Sequence, residues 1–244
     1  MKHLVIIPTY NERENISAII KAVLQLEFTE VLVVDDGSPD GTAAIVLGMQ
    51  EDPAIGGRIH IKRRSGKLGL GTAYIVGFNF GLENNYDFIN EMDADFSHNP
   101  QDLVRLRQAC IDGAGMAVGS RYVKGGGTQN WSWFRRFISK GGSYYVKLFT
   151  SMPVQDPTAG FICYRKEVLN TIDLTKIEFT GYAFQIEMKY VAYKLGFVIE
   201  EVPILFKDRE LGVSKMNISI ISEAVNGVLK LKKRNVLQYY KRNS

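Results

Sequence analysis

Residues 31–42, Val31-Leu32-Val33-Val34-Asp35-Asp36-Gly37-Ser38-Pro39-Asp40-Gly41-Thr42, decide the fold. Four apolar, mostly β-branched residues read as a buried strand, the stretch after them is rich in turn formers and helix starters, and Thr42 to Gln50 reads as the next helix. The pattern recurs on either side. Upstream, Leu4 to Ile7 is a strand, followed by Ile16, Ile19, Ile20, Val23 and Leu24 at helical spacing. Downstream, Arg58 to Lys62 is a third strand, Gly71 to Leu82 a helix, and Phe88 to Met92 a fourth strand that also runs into acids. Such repetition predicts an α/β domain: a mostly parallel, Rossmann-like sheet with helices on both faces and every strand running the same way. Polar groups then collect at the carboxyl ends of the strands, where open α/β sheets bind ligands. Pro8-Thr9-Tyr10, Asp35-Asp36-Gly37-Ser38 and Asp93-Ala94-Asp95 all fall there.

Beyond residue 120 the character changes. Gly125-Gly126-Gly127 is a flexible break, and residues 130–151 mix Trp131, Trp133, Phe134, Phe137, Tyr144, Tyr145 and Phe149 with Arg135, Arg136, Lys140 and Lys147. Residues 182–195 read as helix, Phe197 to Phe206, interrupted by Pro203, as late strands on an edge, and Ile218 to Lys233 as a basic amphipathic helix. Residues 207–244 hold nine Lys or Arg against three acids, net +6, whereas the rest of the chain is net −2. A basic end on a nearly neutral body suits an anionic partner, although a solvated Lys-rich helix end has the same composition. With 45% hydrophobic and 23% charged residues in 244, the chain can bury a core, which excludes wholesale disorder. Two distant cysteines exclude a disulfide framework and a zinc finger, and no apolar run approaches the length of a membrane span. The chain reads as cytoplasmic.

Asp93-Ala94-Asp95 is the sharpest motif. Two carboxylates at a strand end suit a hard divalent ion that keeps substrate phosphates in its shell. An Asp-x-Asp also serves as loop acids or as the cap of the helix that Pro100 and Asp102 announce. A buried carboxylate in Asp35-Asp36 can accept from a nucleobase N–H, or merely close a tight turn. Gly66-Lys67-Leu68-Gly69-Leu70-Gly71 lacks the spacing of a Walker or dinucleotide loop and reads as a close-packed helix start. Arg121 follows a small-residue strand, and Arg135 and Ser139 share one helical face, so both can reach one anion. Arg209 and Lys215 form a third cationic group. His98 reads as a loop or capping residue rather than a base, and Asp156 to Phe161 as a turn.

Pro8-Thr9-Tyr10-Asn11-Glu12, Val33 to Thr42, Asp93 to Pro100 and Gly119-Ser120-Arg121-Tyr122 resemble inverting family-2 glycosyltransferases of the GT-A fold, and among them the polyprenyl-phosphate (dolichol-phosphate) mannose synthases that lack transmembrane helices. Asp156 to Phe161, Gly181 to Met188 and Val202 to Arg209 with Ser214-Lys215 carry the likeness to about residue 230, which implies a GT-A domain over residues 1–230 and a basic tail over 231–244. The resemblance implies transfer of mannose from GDP-mannose to a polyprenyl phosphate with inversion. It puts Pro8, Tyr10, Glu12 and Asp36 around the nucleoside, and Asp93, Ala94 and Asp95 at the diphosphate with Mg²⁺ or Mn²⁺. Ser97 stands where some members carry Gln as a further metal ligand. Arg121, Arg135 and Ser139 match positions that grip the acceptor phosphate, and Arg209 and Lys215 those that hold the donor phosphates.

An ionised phosphate acceptor removes the need for a strong base, which leaves Asp95, Arg121 and Arg135 as the catalytic set, acting by charge and position. Two alternatives are a related transferase using UDP-glucose or another nucleotide sugar with a lipid-phosphate or hydroxyl acceptor, a hydroxyl requiring Asp95 or Glu187 to double as base, and a nucleotide-sugar binding protein without turnover. Residues 1–206 carry no continuous basic stripe, which argues against nucleic acid. A membrane-embedded acceptor further predicts a peripheral protein on the cytoplasmic face, held by residues 130–151 and the tail or by a separate membrane-anchoring protein.

Overall fold

In a computed structural model, residues 1–208 and 227–242 are described. The amino-terminal half alternates as expected: β1 (His3–Thr9), α1 (Ile16–Leu24), β2 (Thr29–Asp35), α2 (Thr42–Gln50), β3 (Ile59–Arg63), α3 (Leu70–Glu83), β4 (Phe88–Glu91) and α4 (Asp102–Ile111). There follow β5 (Met116–Ser120), β6 (Gly127–Gln129), α5 (Trp133–Thr150), β7 (Ile162–Arg165), α6 (Lys166–Thr171), α7 (Tyr182–Lys194), β8 (Ile199–Pro203) and β9 (Leu205–Lys207), with a short helix, Val236–Tyr240, near the carboxyl end.

Seven strands form one sheet in the order β3-β2-β1-β4-β7-β5-β8, and β6 and β9 form a small second one. Alternate residues of β1 and β2 feed opposite faces: Leu4, Ile6, Leu32 and Val34 pack with α3 and α7, and Val5, Ile7, Val31 and Val33 with α1, α2 and α4. Burial on both faces is why these strands read as unbroken apolar runs. One expectation is corrected: β7 runs antiparallel to both β4 and β5. The crossover from β4 to β5 skips one position in the sheet, and the chain fills it from the opposite direction after α5, satisfying both neighbouring ladders. Pro203 ends the edge strand β8, where a missing N–H is tolerated.

The boundary expected after residue 230 is not an edge of the core. Leu231, Val236 and Tyr240 are buried in the larger cluster. The Tyr240 hydroxyl donates to Glu187 at 2.7 Å, and Glu178 receives Lys230 and Arg234 at 2.6 and 2.5 Å. Part of the basic end is therefore neutralised against the body. Most of the expected helix from Ile218, together with Arg209 and Lys215, lies outside the described residues.

Candidate active site

The carboxyl ends of β1 and β2 are stitched together by turn chemistry. Asp35 is fully buried and accepts from Thr9 Oγ1 (3.0 Å) and from the hydroxyl and N–H of Ser38 (2.5 and 3.0 Å). Gly37 (φ +70°) makes the turn that permits this. Asn11, Glu12 and Arg13 donate their backbone N–H groups to Ser38, Thr42 and Asp40 across the gap. Asp36, the other member of the acid pair, is engaged differently. It is buried and takes the Arg64 guanidinium at 2.6 Å, while Arg64 is held by Thr72 Oγ1 and the Gly69 carbonyl. Arg64, just past β3, is a residue that sequence reading missed. Tyr10 lies nearby with the Lys67 ammonium 5.3 Å from its ring centroid, Glu12 receives the Asn15 amide, and Pro8 sits in β1 opposite Val34.

Asp93, Ala94 and Asp95 follow β4, and neither acid caps α4, whose N-cap is Gln101. The Asp93 side chain is 41% exposed, whereas Asp95 is nearly buried and accepts the Ser97 N–H at 3.0 Å. Beneath them Glu91 is fully buried, accepting from Tyr164 at 2.7 Å and from the Gln185 amide. Burial pushes its carboxyl up to about 7. Tyr74 is driven well above the usual phenol range, first by burial and then by the fields of Asp93, Glu91 and Asp95. These carboxylates concentrate negative potential at the strand end.

Opposite lie the cations. Arg121 makes a two-pronged ion pair with fully buried Asp156 (2.7 and 2.6 Å) and donates to Thr158. The Asp156-Pro157-Thr158 turn is thus the counter-charge of Arg121. Arg135 stacks 4.1 Å from the Trp131 ring centroid and donates to Asp208 at 2.7 Å, and Ser139 receives the Tyr122 hydroxyl at 2.6 Å. Trp131, expected among the exposed aromatics, is buried between Arg121, Arg135 and Phe206.

His98 joins the two groups. It stacks on Phe161 (4.7 Å), meets Phe206 edge-on and accepts the Asp93 N–H. Burial lowers its pKa to about 4, so it stands neutral between the acids and Arg121 and is a weak proton acceptor. Glu187 is no base for this site, being buried against the backbone of Glu178 and Phe179 and the Tyr240 hydroxyl.

Residues 4–173 match the model of glycosyl transferase family 2. The chain belongs to that family. The transferase is 48% identical to the polyprenol monophosphomannose synthase of Mycolicibacterium smegmatis, over 91% of this chain and 83% of the relative. It is 45% identical to the undecaprenyl-phosphate mannosyltransferase of Micrococcus luteus, over 93% of each. Among solved structures it is similar to the glucosyl-3-phosphoglycerate synthase of Mycobacterium tuberculosis in complex with Mn²⁺, UDP-glucose and phosphoglyceric acid (TM-score 0.67, 15% identity, 95% of this chain and 79% of that one). It is also similar to the mannosyltransferase PcManGT of Pyrobaculum calidifontis in complex with GDP-Man and Mn²⁺ (TM-score 0.57, 14% identity, 98% and 72%). These two establish the GT-A type of fold.

Among the described residues no group of three or more His, Cys, Asp or Glu is placed to hold a metal on its own. The Asp93-Asp95 pair nonetheless fits a divalent ion of the Mg²⁺ or Mn²⁺ kind, which binds one or two carboxylates and fills its remaining positions with substrate phosphates and water. Ser97, whose N–H is engaged by Asp95 and whose side chain is buried, fits the role of shaping that carboxylate better than that of a ligand.

Proposed function

We propose that this transferase moves mannose from GDP-mannose to a polyprenyl phosphate with inversion, giving polyprenyl phosphate β-mannose. The observation that carries this reading is the 45–48% identity, over more than nine-tenths of the chain, to two relatives named for mannosyl transfer to polyprenyl phosphates. The site supports it by separating two kinds of charge: carboxylates on one side of His98 and arginines on the other.

On the donor side, Asp36, with Pro8, Tyr10 and Glu12, receives the nucleoside, and Arg64 fixes the Asp36 carboxylate. Asp93 and Asp95 hold a divalent ion, Mg²⁺ or Mn²⁺, which supplies charge stabilisation for the departing diphosphate. Arg209 and Lys215 hold the donor phosphates. On the acceptor side, a phosphate monoester with a second pKa of ~6 arrives largely ionised, so its oxygen attacks the anomeric carbon without a base. Arg135 holds the Asp208 carboxylate by one charge-assisted hydrogen bond, and the phosphate takes the place of Asp208, with Ser139 as a second partner. Arg121, fixed by Asp156, shapes the wall behind it. Catalysis then rests on position and charge.

Among the described residues no helix is long and apolar enough to cross a membrane. The outer face of α5 exposes Trp133 (77%), Phe137 (71%), Phe134, Tyr144 and Leu148 beside Arg136, Lys140 and Lys147. This aromatic and basic mixture supports peripheral binding at the cytoplasmic face of a membrane, where the acceptor's tail resides. A donor panel of GDP-mannose, UDP-glucose and UDP-GlcNAc with a polyprenyl phosphate tests the proposal. Transfer from GDP-mannose alone is expected, and preference for a uridine donor overturns the donor assignment.

A further inference from the structure

The exposed face of α5 is asymmetric. At about 100° per residue, Trp133, Phe134, Phe137, Tyr144 and Leu148 fall within one third of the helix circumference. Arg136, Lys140 and Lys147 all fall on one flank of that stripe, and Ser143, Val146 and Thr150 pack into the body beyond it. On the basic flank, where the helix leaves the body, lies a hollow of about 350 Å³ lined by Tyr122, Lys140, Ser143, Tyr144, Lys147 and Gln155. No acid lines it. Its lining begins at Lys140, directly after Ser139, and Tyr122, whose hydroxyl donates to Ser139, is its wall on that side. The Lys140 ammonium lies 5.8 Å from the Tyr122 ring centroid.

We infer that this hollow seats the phosphodiester headgroup of an anionic phospholipid, a site separate from that of the acceptor phosphate. The inference rests on the membrane-bound reading above and adds a specific occupant to it. A helix lying in the interface places its apolar stripe among the acyl chains, and the groups at the edge of the stripe then stand at headgroup depth. Here those groups are two lysines seven residues apart, about two helical turns, with the Tyr144 ring at the apolar rim and Ser143 and Gln155 completing the lining. A phosphodiester between Lys140 and Lys147 satisfies both ammonium groups while its acyl chains run down past Tyr144 and Leu148. The charge complementarity selects an anionic lipid, whose headgroup remains negative after the amine of a zwitterionic one would have cancelled the attraction.

The test measures binding of the full chain to vesicles of phosphatidylcholine with and without phosphatidylglycerol. It compares the wild type, K140A/K147A, and the charge-matched pair R136A/K233A, whose basic groups lie outside the hollow. K140A/K147A is expected to bind the anionic vesicles at least about tenfold more weakly than the wild type, the charge-matched pair only about threefold. Inorganic phosphate at millimolar concentration is expected to leave wild-type binding intact. Equal losses in the two double variants would reduce the hollow to general surface charge and overturn the proposal, as would displacement by inorganic phosphate, which marks a free-phosphate site. Mannosyl transfer to a short-chain polyprenyl phosphate in detergent separates the two readings. Unchanged acceptor KM in K140A/K147A supports a separate lipid seat, and a raised KM assigns the hollow to the acceptor and overturns it. No turnover by the wild type, with lipid discrimination intact, defeats the mannosyltransferase reading and leaves the headgroup seat standing.

Discussion

The proposed donor side and the proposed acceptor side of this molecule are built on opposite plans. At the ends of β1, β2 and β4, polar side chains other than Asp93 are buried, engaged by one another across adjoining strand ends and backed by a continuous core. Asp35 is saturated by Thr9 and Ser38, and Asp95 accepts from a residue two positions on. At β5, β6 and α5, the cations are paired across long stretches of chain, Arg121 with Asp156 and Arg135 with Asp208, and the helix that carries Arg135 turns a face of aromatics to solvent. A soluble nucleotide sugar calls for a rigid pocket. An acceptor anchored in a bilayer calls for a surface that can meet it, and for an arginine, Arg135, whose internal partner a phosphate can replace.

That contrast can be broken in order of effect. Asp95→Asn should lower turnover at least about 10³-fold while the variant melts as the wild type does, because several kcal/mol of charge stabilisation at the leaving diphosphate goes with the carboxylate. Rapid mixing with saturating donor and acceptor reads it, and a loss under tenfold would remove the acid pair from the chemistry.

Glu91 probes the floor of the donor side. Its folded pKa, about 7, lies above the unfolded 4.5, so between these values the folded state binds the extra proton and this group's contribution falls as pH rises. The stability difference between Glu91→Gln and the wild type should therefore shift in favour of the variant by about 2–3 kcal/mol across that window. Urea melts at several pH values check it, and a difference independent of pH would contradict the raised pKa.

Arg135→Ala sharpens the acceptor side, with a rise of about 10- to 100-fold in acceptor KM and little change for the donor. Equal losses for both would make Arg135 a structural residue. The smallest effect belongs to the outer face of α5. Trp133→Ser with Phe137→Ser should weaken vesicle binding several-fold, about 1–2 kcal/mol, and leave turnover on a detergent-dispersed acceptor unchanged. Co-sedimentation indistinguishable from the wild type would mean that another surface meets the membrane.

How far the sequence discloses these regions follows the same division. The strands and acids of the donor side are legible because local pattern decides them: Val31 to Val34 is apolar on both faces and the turn chemistry of Asp35 to Thr42 is contiguous. Two features escape that logic. β7 stands outside the strand–helix alternation that marks the first half, and its direction depends on the gap left between β4 and β5. The pairing of Arg121 with Asp156 spans 35 residues, so the turn and the arginine read as unrelated. The clasp of Glu178 with Lys230 and Arg234 is hidden for the same reason, and it converts residues that read as a free basic tail into part of the body. Arg64 had only a local cue, a basic pair at the end of the third strand.

The central claim is that charge and position on an already ionised acceptor do the work, with no general base. Offering the wild-type protein GDP-mannose with either a polyprenyl phosphate or the corresponding polyprenol, each with Mg²⁺ and with excess EDTA, tests it most directly. Lipid-extractable mannose should form only from the phosphate and only with the ion, whereas transfer to the alcohol, or transfer undiminished in EDTA, would contradict the claim.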